Sequence, residues 1–495
     1  MQLRLLPLLF LALPALAQKT NSRLEFNIET SANVSGGDYA PYWFTANRYG
    51  LGSVEPNSFY LKAGVDWKRS FRHGWKVGAG LDLAAGASLS TNFSIHQAYV
   101  DVAWHVLNVS LGSKERISSP LDKNPLLTSG WTAEGINTIP IPQARIEIRD
   151  FLEIPFLGNW LALKGHLAYG AFTDDAWQKD FAAPGMLYGK DIKYHSKALM
   201  FRIGKKEKFP LEFEFGLHMA TQFSGDQMRK LEDGSSELVL DMPDGFKNYI
   251  NAFFPTAGGS DTALGEQVNV EGNMLGSWNF AVNYYIGDWK VRAYLDHFFE
   301  DESQMFWQYG RWKDGQLGLE VTFPKNRWIT SAVFEALSTK DQTGPLLYDG
   351  FAGSFSDLQM SGCDEYYNHE IYQSWQYFGM GIGAPLLPGP AYNKDGNISF
   401  RSNRMKGIHF GFMGSPSDEW SWRMLLSHSR HWGTYHNPFD KIKKQFSSMA
   451  EVSYSPQRFK VWTFKASLGV DGGNYLGSSV GGMLGIQLKI NNKNR

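Results

Sequence analysis

Stretches of about ten residues in which apolar and polar side chains alternate recur along the whole chain. The connections between them are by turns short and long. This combination limits the possible folds more than any motif does, because strict alternation marks a strand with one apolar and one polar face. The clearest example is Trp278–Asp296. Trp278, Phe280, Val282, Tyr284 and Ile286 share one face, and Trp289, Val291, Ala293 and Leu295 share one face on the return arm. Asn279, Asn283, Lys290, Arg292 and Asp296 hold the other side. Between the arms lies Gly287-Asp288, and glycine at the first position of a two-residue loop suits a type II′ turn. Such a turn sets Ile286 opposite Trp289 and merges the two apolar faces.

Comparable segments are predicted near residues 24–28, 59–67, 75–83, 94–104, 107–114, 144–153, 160–171, 197–204, 211–221, 317–323, from 328, and near 405–413, 420–429, 446–454, 460–470 and 480–490. With the hairpin they make about eighteen strands, each of roughly the length a tilted strand needs to cross a bilayer. Short turns at Arg72–Gly74, Leu157–Asn159, Pro324–Arg327, Ser415–Ser417 and Pro456–Arg458 all fall on one side. Long connections, among them 115–143, 172–196, 221–275 and 338–404, fall on the other. Trp75, Trp160, Trp289, Trp328 and Trp420 sit at the edges of the short turns. A soluble sandwich has no reason to sort its loops by length. An outer-membrane barrel does, with short periplasmic turns, long extracellular loops, a polar lumen and girdles of aromatic residues. Closure also removes exposed strand edges. The expected fold is therefore all-β: a transmembrane antiparallel β-barrel of about eighteen strands, with long loops able to fold over or into the lumen.

The first 17 residues have the make-up of a secretory signal, with Arg4, an apolar stretch Leu5–Leu13 and a small-residue site Ala15-Leu16-Ala17. Cleavage after Ala17 would leave residues 18–495 as a single barrel domain destined for the cell outer membrane. Mean hydropathy is −0.32, and no apolar run of about 18 residues predicts a transmembrane helix. A net charge of −1 gives no electrostatic case for nucleic acid as a partner. The lone cysteine, Cys363, excludes an intramolecular disulfide framework and reads as a loop residue.

Motifs that carry chemistry are weak. Gly477–Gly481 matches G-x-S-x-G around Ser479, but that motif needs a strand-to-helix elbow, and here it meets a last strand. His428, His431 and His436 read better as a rim cluster than as metal ligands. Glu212 and Glu214 fall on one face of one strand, where a lumen charge network with Lys290 and Arg292 fits better than a glycosidase pair. Glu300-Asp301-Glu302 lacks the spaced ligands of a calcium loop. No catalysis, metal or cofactor is expected. The stretch Asp364–Pro385 differs: Tyr366, Tyr367, Tyr372, Trp375 and Tyr377 interleave with Asn368, His369 and Gln376. Flat rings beside amides suit sugars, and equally suit a plug packed into a barrel mouth.

From this stretch outward the sequence resembles the capsule assembly Wzi family, in the form found in Bacteroides-like bacteria. The resemblance rests on Pro41–Leu51, Leu126–Ala144, Tyr366–Pro385, and Arg404–Gly414 continued into Trp432–Tyr435. It implies an eighteen-stranded outer-membrane barrel with a lectin-like, non-catalytic role in binding capsular polysaccharide for capsule assembly or attachment. Expected sugar contacts are Tyr366, Tyr367, Trp375 and Tyr377, with Asn368, His369, Arg401 and Arg404 as polar partners. Other expected partners are outer-membrane lipid and the capsule export machinery. The rival readings are a porin-like diffusion channel and, further off, an outer-membrane lipid hydrolase.

Overall fold

The computed structural model describes residues 22–255, 270–301, 303–307, 312–345 and 361–493. Eighteen of its strands form one antiparallel sheet that closes on itself. They are β1 (Ser22–Gly36), β2 (Asn57–Ser70), β3 (Trp75–Ala87), β4 (Phe93–Trp104), β5 (Leu107–Ser113), β6 (Gln143–Glu153), β7 (Leu161–Ala171), β8 (Lys193–Gly204) and β9 (Leu211–Phe223) in the first half. The second half comprises β10 (Asn273–Ile286), β11 (Trp289–Glu300), β12 (Gly315–Thr322), β13 (Ser331–Ser338), β14 (Met405–Gly414), β15 (Trp420–Gly433), β16 (Pro438–Tyr454), β17 (Trp462–Gly473) and β18 (Ser479–Lys493). Neighbours in sequence pair, and β18 pairs back onto β1 from Arg23 opposite Lys493 to Gly36 opposite Val480. The expected barrel and its strand count are what the chain forms. The predicted signal residues 1–17 lie outside the described residues.

The alternation places the faces. Outward side chains are apolar and open, as at Phe26, Ile28, Leu468 (69% exposed) and Leu484 (68%). Inward ones are polar and buried, as at Lys62, Asp82, Glu214, Arg292 and Asp296. A wall with apolar residues outside and charges inside is stable with hydrocarbon around it and would be costly in water. Ile286 lies opposite Trp289 in the ladder, and the positive φ of that turn is at Gly287 (55°), as a type II′ turn requires. At the end of the short turns, aromatic rings gather into a girdle: Trp75 against Trp104 (6.3 Å), Trp289 against Phe323 (5.1 Å) and Trp420 stacked on Tyr454 (4.6 Å).

The sorting of loops has exceptions. At the long-loop end, β3 joins β4, β15 joins β16, and β17 joins β18 through short links. The ladder of β15 with β16 runs from Trp420 opposite Tyr454 to Gly433 opposite Pro438, so residues expected to form a loop before 446 extend the hairpin instead. Elsewhere at this end the chain carries small elements of its own. One is a three-stranded sheet of Leu187–Lys190, Gly225–Lys230 and Ser236–Met242. Its Leu231–Ser235 turn is closed by a backbone hydrogen bond, and Asp233 and Gly234 are exposed. A tag inserted at Asp233–Gly234 is expected to stain on intact cells, since this end should face outward. Staining only after permeabilisation would reverse the orientation.

Candidate functional site

The lumen is filled. Between β5 and β6 the chain turns inward, and Leu121, Lys123, Leu127, Trp131 and Glu134 are buried inside the barrel. This inner segment is tied to the wall by polar contacts with inward-facing residues. The Lys123 ammonium donates to Asp296 (2.6 Å) and to the Gly130 carbonyl (3.0 Å). Glu335 accepts from the Thr128 hydroxyl (2.6 Å) and from both the amide and hydroxyl of Ser129 (2.7 and 2.6 Å). Glu134 accepts from Ser196 (2.6 Å) and Tyr194 and pairs with His218 Nε2 (2.7 Å). Burial acts to raise the Glu134 pKa, but the donors His218, Ser196 and Tyr194 outweigh it, and the carboxyl lies below its usual range. Each such bond compensates a group that burial would otherwise penalise.

A second layer, residues 363–404, caps the inner segment. Tyr367 donates to the Thr132 carbonyl (3.0 Å), Trp375 Nε1 to that of Ala133 (2.8 Å) and Asn137 Nδ2 to that of Gly381 (2.9 Å). The backbones nearly touch: a Cβ at Gly383 would lie 2.2 Å from the Thr132 oxygen. The four rings expected to face sugar are therefore inside the cap. Tyr366, Tyr367 and Trp375 are 0% exposed and Tyr377 2%. Their faces are occupied by neighbours: Tyr367 stacks on Phe298 (4.7 Å), Tyr366 meets Phe298 edge-on (4.8 Å), and Tyr377 lies 5.6 Å from Phe172. Of the two uses open to this aromatic stretch, packing is the one these side chains have in the structure.

The polar residues of the expected site divide differently. Asn368, His369 and Arg401 line a cavity of about 1160 Å³ at the long-loop end, together with Glu370, Asp395 and His436. Asn368 also holds the cap together, bonding Phe400 through both its donor and its acceptor (3.1 and 2.8 Å). His369 Nδ1 accepts from the Ile371 amide (3.1 Å), and burial pushes its imidazole down to about 4, which keeps the ring neutral. Arg401 pairs with Asp395 (2.6 Å). Arg404 is elsewhere, stacked over Tyr435 at 3.7 Å. The cavity thus offers amides, carboxylates, one guanidinium and the ring of Phe400, a set that can hydrogen-bond hydroxyls on several sides at once. A second cavity of about 450 Å³ lies under the inner segment, between Lys114, Arg145 and Lys164, and shares no lining residue with the first.

The weaker candidates resolve simply. Ser479 is the first residue of β18, opposite Asp471 in the ladder, with no elbow beneath it. On β15, His431 is buried against Tyr475, while His428 lines a recess on the outer wall, and His436 belongs to the next turn. They share no face. Glu214 pairs with Arg292 (2.7 Å) in the lumen wall and Glu212 accepts from Tyr285 (2.8 Å). Of the run Glu300-Asp301-Glu302, the last lies outside the described residues. Glu134, His166 and His218 bring ligand-type atoms within 4.8 Å of one another, but each is engaged in the network above, with His166 Nε2 on Ser196 (2.9 Å).

The sequence matches no protein-family model and no curated protein. Solved structures give likenesses of fold. The outer-membrane protein Wzi of Escherichia coli is described as a carbohydrate-binding β-barrel involved in group 1 capsule assembly. It superposes with a TM-score of 0.56 over 97% of this chain and 87% of its own, at 14% identity. OccK5 (OpdH) of Pseudomonas aeruginosa gives 0.48 at 8% identity, over 95% and 98% of the two chains, and OprD of the same organism 0.47 at 10%, over 96% and 97%. At 14% identity the likeness to the Wzi barrel concerns architecture, and with the closed sheet it gives a barrel of the outer-membrane type.

Proposed function

We propose that this barrel is a non-enzymatic surface lectin that holds capsular polysaccharide at the long-loop end. What carries the reading is a lumen packed with two layers of protein beneath an outward-opening polar cavity. A diffusion channel needs the opposite, an aqueous lumen with a constriction. The carbohydrate-binding description of the Wzi barrel supports the same reading. In it, Asn368, His369 and Arg401 touch the polymer, Glu370 and Asp395 add acceptors, and Tyr366, Tyr367, Trp375 and Tyr377 act beneath them by setting the shape of the cap. Carboxylates outnumber guanidinium groups along the lining, which favours a neutral repeat over an acidic one.

Sugar hydroxyls contribute about 1 kcal/mol net per hydrogen bond, so one site is expected to bind near millimolar, about −4 kcal/mol. Many barrels on one repetitive polymer raise the effective affinity. Replacing both exposed contacts, Arg401→Ala with Glu370→Ala, removes about 2 kcal/mol, roughly thirtyfold. The test is retention of capsule on cells and titration of the purified barrel with polysaccharide. A double variant that keeps heat-modifiable barrel behaviour and holds capsule as well as the parent would reject this site.

A further inference from the structure

On the outer wall, at the long-loop end of β13–β16, three cations stand side by side. Lys406 of β14 is directly opposite Arg430 of β15, and Arg430 is directly opposite Lys444 of β16. All three are exposed. They share the outward face, because the alternate positions Met405, His431 and Gln445 are the buried, inward ones. Side chains directly opposite in a ladder have Cβ atoms about 5 Å apart, and like charges there repel. Among the described residues no carboxylate pairs with any of the three. A fourth cation, Lys340 just after β13, points its ammonium at the Trp432 ring from 5.1 Å. Between them is a recess of about 570 Å³ whose lining includes Lys340, Lys406, Ile408, Arg430 and Trp432.

The height of this row identifies its surroundings. Below Lys406 come the exposed Ile408 and Phe410, below Arg430 the exposed Met424, and below Lys444 the exposed Phe446 and Val452. Trp420, in the girdle at the short-turn end, is ten residues before Arg430 along β15. At about 3.4 Å per residue and a tilt of about 40°, that is a rise of roughly 26 Å, and the apolar band of such barrels is about 25 Å tall. The cations therefore sit where the hydrocarbon ends, facing sideways into the outer leaflet and away from the mouth of the barrel. A row of cations with no carboxylate partner among the described residues, with an aromatic ring and an apolar recess beside it, matches an anion carried on acyl chains.

We propose that Lys406, Arg430 and Lys444, with Lys340, form a docking site for a phosphorylated glycolipid of the outer leaflet. The phosphate oxygens accept from the guanidinium and ammonium groups. The acyl chains run down over Ile408 and Phe410. The shared anion relieves the repulsion along the row. The capsule reading plays no part in this assignment; it rests on the outward face of the wall and on the long-loop end facing outward.

Native mass spectrometry of the full chain in mild detergent tests it, with bisphosphorylated lipid A, dephosphorylated lipid A and phosphatidylglycerol as probes. The bisphosphorylated form should bind the parent protein at least tenfold more tightly than either other probe. Lys406→Gln with Arg430→Gln and Lys444→Gln should abolish that preference while the barrel remains heat-modifiable. The assignment is overturned by equal binding of the two lipid A forms, by phosphatidylglycerol binding as tightly, or by an unchanged preference in the folded triple variant. Should the triple variant not fold, the three probes on the parent protein still decide.

Discussion

Reconstituted in a planar bilayer, the intact protein should pass no steady porin-like current, and removing both plug layers should open one. An empty barrel of eighteen strands is wide enough for an aqueous channel. Here that space holds buried side chains of the inner segment, including Trp131, Leu127 and Leu121, with Tyr366, Tyr367 and Trp375 of the cap above them. The inner layer is tied to the wall without help from the cap. The cap meets the inner segment through Tyr367 and Trp375, whereas the inner segment meets the wall through Lys123, Ser129 and Glu134. Replacing residues 364–403 by a short Gly/Ser linker should therefore leave conductance low. Replacing 117–141 as well should raise it at least tenfold, to the level of a porin. A large, stable conductance from the intact protein would sink both the plug and the lectin reading and restore the channel.

The wall was legible in the sequence because its physics is local. Period-two alternation such as Leu211, Phe213, Phe215 against Glu212 and Glu214 needs no knowledge of partners, and the membrane enforces it on every strand. The signal fades where the membrane stops. Pro438–Gln445 continues β16 beyond the apolar band, and with Lys441, Lys443 and Lys444 it carries no apolar face to betray a strand. That long loops could fold into the lumen was legible; that the β5–β6 connection forms the inner layer was not. Residues 115–143 read as a plain connection, since their burial is satisfied by polar groups distant in sequence: Lys123 by Asp296, Ser129 by Glu335, Glu134 by His218. One clue was available. Inward positions of a water-filled lumen need no particular partner, yet β13 presents a single carboxylate, Glu335, between the neutral Val333 and Leu337. The aromatic stretch is legible as such, but the contacts its rings make are not. Composition shows that Tyr367 and Trp375 want flat contacts; only the neighbours Phe298 and Phe172 show that other rings already supply them.

Losing the Lys123 ammonium should release the inner segment while leaving the wall intact. Lys123 and Asp296 are 0% and 1% exposed at the side chain and 2.6 Å apart. Lys123 also donates to the Gly130 carbonyl, and Asp296 also accepts from the Thr132 hydroxyl and amide (2.7 and 3.2 Å). Lys123→Met keeps the volume and apolar stem but strands the Asp296 carboxylate in the lumen with Thr132 as its remaining donor. Breaking one side of a buried pair costs about 3–5 kcal/mol. If the inner segment opens as a unit, its amides should exchange roughly 10²- to 4 × 10³-fold faster, because each 1.4 kcal/mol is tenfold in the opening equilibrium. Amides of the β-ladder should not change, since the wall's own hydrogen bonds do not involve Lys123. Adding Asp296→Asn removes the stranded charge and keeps an acceptor for Thr132, so the double variant should recover much of the loss. Hydrogen exchange followed by mass spectrometry on the three variants reads this directly. Unchanged exchange across residues 117–142 in Lys123→Met would show that the pair does not pin the plug. Equal acceleration in the single and double variants would show that lost packing, and not the buried charge, is responsible.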